Sequence, residues 1–136
     1  MACLDTSALL DLSGRGGRRS RDRARRKVAE LVAAAEPLVT TRFNVAELWV
    51  GVARSEDGEA ERQKVETLLR PLAILDFEQE AAEVFGYVVG YLQRQGIPIG
   101  DMDAIIASVC LVYGHLVVTR NTARFERVPG LEVTGY

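Results

Sequence analysis

IPIGDMDAIIASVCLVYGHLVVTRNTARF, residues Ile97 to Phe125, decides how the rest of the chain is read. It opens on a turn, Pro98 to Gly100, followed by two acids, Asp101 and Asp103. Between Ala104 and Tyr113 only Ser108 is frankly polar, so the spacing predicts a helix buried on most sides. Gly114 can take a positive φ and stop that helix. Leu116 to Thr119 then reads as a buried strand that empties into the polar loop Arg120-Asn121-Thr122. An acid fixed between a turn and a core helix is poorly placed for a charge unless a cation stands beside it. A divalent metal is the cation this pattern points to.

Working outward, Ala2 to Leu4 form a short strand ending on Asp5, with Thr6 or Ser7 capping a helix through Leu12. Ser13 to Gly17 is a glycine-rich break. Ser20 caps a second helix in which Ala24, Val28, Leu31, Val32 and Ala35 share one face, and Pro37 ends it. Leu38 to Thr41 reads as strand two. Asn44 with Glu47 three residues later matches a capping box opening a helix to about Arg54. A further helix runs from about Glu59 to Arg70, and Ala73 to Leu75 make strand three. Asp76 caps a long helix from about Phe77 to Gln95, and Leu131 to Val133 form the last strand. Strands alternating with helices predict an α/β fold, a central parallel sheet of four to five strands flanked by helices. At 136 residues the chain suits one domain spanning residues 1–136.

A net charge of −2 conceals an asymmetry: eight of the seventeen basic residues lie between Arg15 and Lys27. The bare total argues against a nucleic-acid partner, whereas a local basic patch does not. Cys3 and Cys110 sit in predicted core elements without metal-ligand spacing, and read as small buried hydrophobes. The N-terminus lacks a basic region and is broken by Asp5 and Asp11, unlike a secretory signal. No apolar run reaches the roughly 18 residues of a membrane span. The expected location is the cytoplasm.

Asp5 follows strand one, Glu47 lies in the first turn after strand two, and Asp103 opens the helix before strand four. Thr119 and Asn121 follow strand four itself. Ligands of open α/β sheets gather outside the carboxyl ends of the strands, so these groups are expected around one crevice. Two carboxylates about 4 Å apart repel by roughly 4 kcal/mol at an effective dielectric of 20. A hard cation relieves that repulsion, and Mg²⁺ and Mn²⁺ favour carboxylate ligands. Phosphodiester hydrolysis suits such a site: the ion activates a water and stabilises charge on the phosphate. The arginines Arg15, Arg18, Arg19 and Arg21 are then candidates for holding a nucleic-acid backbone.

Each piece also has a plainer reading. Glu47 serves a capping box, Asp101 caps its helix, and Asp103 complements the helix dipole. Asp11 belongs to a solvated helix end, His115 to the turn after Gly114, and the arginines to a solvated helix face. Asp5 is harder to excuse, because a charge ending a buried strand is seldom there for packing alone. One histidine leaves no Ser/His/Asp arrangement, and no GxxxxGK[ST] or GxGxxG is present.

LDTSALLDL at 4–12, NVAELWVG at 44–51, IPIGDMDAIIAS at 97–108 and LVVTRNTARFERVPGLEV at 116–133 together resemble PIN-domain ribonucleases, especially VapC-like toxins of toxin–antitoxin pairs. The resemblance implies a PIN fold and a Mg²⁺- or Mn²⁺-dependent endoribonuclease that often dimerises. It also implies a VapB-like antitoxin, expected over residues 44–70 and the acidic crevice. Carried over by position, the catalytic and metal-binding acids are Asp5, Glu47 and Asp103, with Asp101 as an additional candidate. Thr6, Ser7, Thr119 and Asn121 are then supporting or substrate-contacting groups. Relatives commonly place an acid in the loop after the last motif strand; here Asn121 and Arg124 occupy the two candidate positions. That departure puts a second metal ion in doubt and leaves a PIN domain that binds RNA or protein without cutting as an alternative. A receiver-like domain phosphorylated on Asp76 is a weaker one. It needs an acidic pair after strand one and a late lysine, but Asp5 is followed by Thr6 and no lysine follows Lys64.

Overall fold

A computed structural model describes residues 1–136. The elements in chain order are β1 (Ala2–Leu4), α1 (Thr6–Leu12), α2 (Arg18–Ala33), β2 (Leu38–Thr41), α3 (Arg42–Arg54) and α4 (Gly58–Leu69). They continue as β3 (Ala73–Leu75), α5 (Gln79–Gln95), α6 (Asp101–Tyr113), β4 (Leu116–Val118), α7 (Thr122–Phe125) and β5 (Val133–Thr134). The five strands pair in the order β3-β2-β1-β4-β5, every pair parallel. This is the expected α/β architecture.

The central strand β1 is Ala-Cys-Leu, buried throughout, as suits a strand covered on both faces. Cys3, Val39 and Val117 face α5 and α6 and pack with Val88, Leu92, Ile106 and Phe125. Leu4 and Val118 face the opposite layer and pack with Leu9, Leu31, Leu48 and Val65 from α1 to α4. Strand order reverses direction between β1 and β4, the switch point at which open α/β sheets form a crevice. Leu4 pairs with Val118, so Asp5 and Thr119 leave the sheet side by side.

Several boundaries differ from the sequence expectation, each for a local reason. β2 passes into α3 without a loop, so Thr41, not Asn44, is the N-cap. Its hydroxyl accepts from Asn44 N–H at 3.2 Å while Asn44 Oδ1 accepts from Thr41 N–H at 3.2 Å. The box moves three residues upstream and releases Glu47 from capping. Gly17, at φ 93°, starts α2 at Arg18 and leaves Ser20 inside the helix. The α2 helix stops at Ala33, before Ala35 (φ 59°) and Pro37, and both Val32 and Ala35 face solvent. Asp5 N-caps α1 in place of Thr6 or Ser7, and Gly100 N-caps α6 in place of Asp101. Glu78 occupies that position on α5, and Asp76 instead accepts from Arg42 Nε at 2.9 Å. The loop after β4 carries the short helix α7, and β5 begins two residues later than expected.

Asp11 is not at a solvated helix end: it is fully buried. Its Oδ1 accepts from Arg120 Nη1 at 2.8 Å and its Oδ2 from Tyr136 Oη at 2.6 Å. The loop after α1 closes over it, and a Cβ on Gly16 would collide with Asp11 Oδ1. Burial and the Asp11 carboxylate push the Tyr136 phenol well above its ordinary pKa, so it remains a donor. Asp11→Ala strands the phenol and the guanidinium without their acceptor. The expected cost is about 2–3 kcal/mol in urea unfolding, and an unchanged midpoint would show that the cluster adds nothing.

Candidate active site

Asp5 is 4 % exposed at the carboxyl end of β1. Its Oδ2 accepts from Thr119 Oγ1 at 2.9 Å and Ser7 Oγ at 3.2 Å, and its Oδ1 from Asn44 Nδ2 at 3.1 Å. Three strands supply these donors through the residues that follow them, so the sheet's register fixes the carboxylate. Burial raises the Asp5 pKa, partly offset by the hydrogen bonds from Thr119, the Thr6 N–H and Ser7; the charge of Asp103 raises it further.

Asn44 also donates to Thr6 Oγ1 at 2.9 Å, and Thr6 in turn donates to Glu47 Oε1 at 2.8 Å. Glu47 is thereby held across the crevice from Asp5. Its pKa is raised by burial, then by the charges of Asp5 and Asp103. The three acids therefore share one electrostatic field. Asp103, in the first turn of α6, is half-buried and accepts from Arg124 Nη1 at 2.9 Å.

The remaining candidates divide. Ser7 Oγ accepts from Arg120 N–H at 3.0 Å, tying the loop after β4 to the Asp5 cluster. Asn121 gives its backbone N–H to Thr119 Oγ1 at 3.0 Å, but its exposed side chain bonds to no acid. Asp101 is exposed and forms no bond with the other three. Arg15, Arg18 and Arg19 are exposed at the end of α1 and the start of α2, with Arg21 half-buried beside Gly14. Asn44 and Arg124 are site residues that the sequence reading did not assign as such. A buried amide after a strand was the signal for Asn44; it was absorbed there by a capping role.

The donor set, three carboxylates with neighbouring hydroxyls, fits a hard divalent cation in kind. As placed, no three such side chains close around one point as a ready ligand set. One of the three, Asp103, is turned onto Arg124.

Comparison with known proteins identifies the class. The family model described as PIN domain matches residues 2–131, and the chain belongs to that family. Ribonuclease VapC2 of Rickettsia felis is 31% identical over 102 residues, 75% of this chain and 76% of that protein. The tRNA(fMet)-specific endonuclease VapC of Salmonella typhimurium is 36% identical over 91 residues, 67% and 69% of the two chains. Among solved structures, VapBC2 of Rickettsia felis bound to a DNA fragment from its promoter superposes with TM-score 0.87 at 25% identity. That match covers 99% of this chain and 98% of the other. DNA-bound VapBC of Salmonella typhimurium gives 0.83 at 27% identity, covering 98% and 96%.

Asp5 and Glu47 both titrate above their ordinary values, so the folded protein holds these protons more tightly than the unfolded chain. Their contribution to stability is present in acid and lost as pH rises through their folded titration. Glu47→Gln keeps the bond from Thr6 and removes the charge. It is expected to raise the melting temperature by about 1–3 °C near neutral pH and by nothing at about pH 4. A melting point that falls at both values would contradict the assignment of Glu47 to a repulsive acidic cluster.

Proposed function

We propose that this chain is a VapC-type toxin, a divalent-metal-dependent endoribonuclease held in check by a VapB-like antitoxin. The observation that carries the reading is the placing of Asp5, Glu47 and Asp103 around one crevice, with Asp5 and Glu47 both raised by burial and then further by their neighbours' charge. The names of the VapC relatives and the VapBC neighbours support ribonuclease chemistry and an antitoxin partner. A cytoplasmic site of action and a homodimer complete the proposal, and no helix is long and apolar enough to cross a membrane.

Asp5, Glu47 and Asp103 would hold the ion, Mg²⁺ or Mn²⁺. When bound, it supplies an activated water and charge neutralisation at the phosphate. The protein's own part is positioning. Thr119, Ser7 and Asn44 fix Asp5, and Thr6 presents Glu47 so that its Oε2 remains without a donor. Asp103 likewise keeps Oδ1 free, while Arg124 occupies Oδ2. Arg124 occupies one of the two positions, with Asn121, at which the resemblance leads one to expect an acid, and its bond to Asp103 places a cation beside the metal site.

The Arg124 contact also favours a second reading, a PIN domain that binds RNA or protein without cutting. Cleavage assays with Mn²⁺ separate the two. Asp5→Asn, Glu47→Gln and Asp103→Asn are each expected to abolish cleavage while retaining the fold by circular dichroism. Full activity in any one removes that residue from the site, and an inactive wild type favours the non-cutting domain. Arg124→Ala is expected to tighten Mn²⁺ binding about 2–5-fold in titration calorimetry, the scale of one exposed ion pair. Equal or weaker binding would show that the guanidinium does not compete. Co-purification with the product of the adjoining gene tests the antitoxin.

A further inference from the structure

The arginines of α2 have no acids to answer them. Arg18, Arg19, Arg21, Arg23, Arg25 and Arg26 all lie in this helix, and none takes part in an ion pair. Lys27 alone reaches Glu30, at 3.5 Å. Arg19 with Arg23 and Arg21 with Arg25 stand at i,i+4, a spacing at which like charges destabilise a helix. A solvated face balanced for stability would interleave acids, yet Asp22 is the only one between Arg15 and Ala29.

The fold also decides where this charge lies. Asp11, at the end of α1, is held by Arg120 after β4 and Tyr136 after β5, so the α1–α2 loop stays at the carboxyl edge of the sheet. From there α2 must travel to the opposite edge, where Leu38 begins β2 beside Ala2. Its first turns therefore sit at the same edge as Asp5. Arg15 bridges the remaining gap: its Nη2 donates to Gly51 O at 3.5 Å and stands 4.0 Å from Glu61 Oε2, a loose pair that leaves the guanidinium part-exposed. Gly51 lies four residues beyond Glu47 on α3, about 6 Å along the helix axis. A Cβ on Gly51 would come within 2.9 Å of Arg15 Nη1, so the glycine keeps room for the guanidinium. A cationic path thus starts one turn from Glu47 and continues onto the exposed face of α2.

We propose that this path, Arg15 followed by Arg18, Arg19, Arg23 and Arg26, is the binding track for the RNA backbone on one side of the cleavage site. The inference rests on the ribonuclease reading. An acidic crevice repels phosphates, so the attraction that delivers RNA must come from outside it. These arginines are exposed, and Tyr136, which lines a pocket with Arg23 and Arg26, has its hydroxyl held by Asp11, so the contacts expected are with phosphates, which carry no sequence information.

The test measures binding of a fluorescein-labelled, unstructured 20-nucleotide RNA by anisotropy across a KCl series, in the Asp5→Asn background to prevent cleavage. Arg18→Ala/Arg19→Ala/Arg23→Ala is expected to weaken binding about tenfold near 0.1 M salt. The slope of log Kd against log salt should fall by about 2, at roughly 0.7 per single-strand phosphate contact. Arg94→Ala, on α5 across the sheet, serves as the control and should change neither. Because the three arginines are exposed and unpaired, and Arg19 repels Arg23 at i,i+4, the triple variant should keep or slightly raise its melting temperature.

Unchanged affinity and slope in the triple variant overturn the track, as does an Asp5→Asn protein that binds no RNA. Wild-type cleavage with intact RNA binding in the triple variant removes the track and leaves the nuclease standing. Binding that falls as expected beside a wild type that never cleaves keeps the track and removes the nuclease. Loss of a co-purifying protein with RNA binding unchanged would give the helix to a protein partner instead, and overturn the proposal.

Discussion

A carboxylate buried at the end of a central strand is the constraint on which the rest of the structure turns. Asp5 has lost most of its water, and each donor it gains comes from a different part of the chain: Ser7 on α1, Asn44 on α3 and Thr119 after β4. Leaving such a group without partners costs more than any one of these bonds contributes, so the sheet must bring all of them in register or none. The parallel pairing of β1 with β2 and β4 is what meets that demand. The same arrangement leaves Asp5 short of full compensation, seen in its raised pKa, and so receptive to positive charge.

A second polar cluster lies beside the first and is joined to it through Ser7 and Arg120. Arg120 gives its N–H to Ser7 and its guanidinium to Asp11, so one residue reaches both clusters. Tyr136 closes the other side of Asp11. The chain thus holds a paired, hydrogen-bonded carboxylate beside the crevice, in which Asp5 and Glu47 have no cationic partner and only Asp103 meets one, Arg124. Two aspartates six residues apart in one segment have opposite fates, decided by whether an arginine and a phenol reach them.

The layered fold was legible in the sequence because its strands are short apolar runs and its helices periodic. Asp5, Glu47 and Asp103 were legible as a set because each follows or opens an element at the predicted carboxyl edge. What stayed hidden depended on pairing at long range. Nothing local distinguishes Asp11 from a surface helix residue; its partners lie 109 and 125 residues away. Asn44 looked like a cap because capping and site roles use the same side chain, and only the absence of a loop after β2 assigns the cap to Thr41. Arg124 was noticed as a missing acid, but its contact with Asp103 needed the packing of α7 against α6.

The distance along the chain between Asp5 and Thr119, 114 residues, sets a schedule for synthesis. Asp5 leaves the ribosome first, into a chain that has no β4 to lie beside. At about 5–20 residues per second, roughly 6–23 s pass before Thr119 is made. Throughout that interval the emerging polypeptide lacks the hydroxyl and register that fix its first acid. A protein of this topology therefore cannot complete its acidic crevice until the strand that leads into Thr119 has been made.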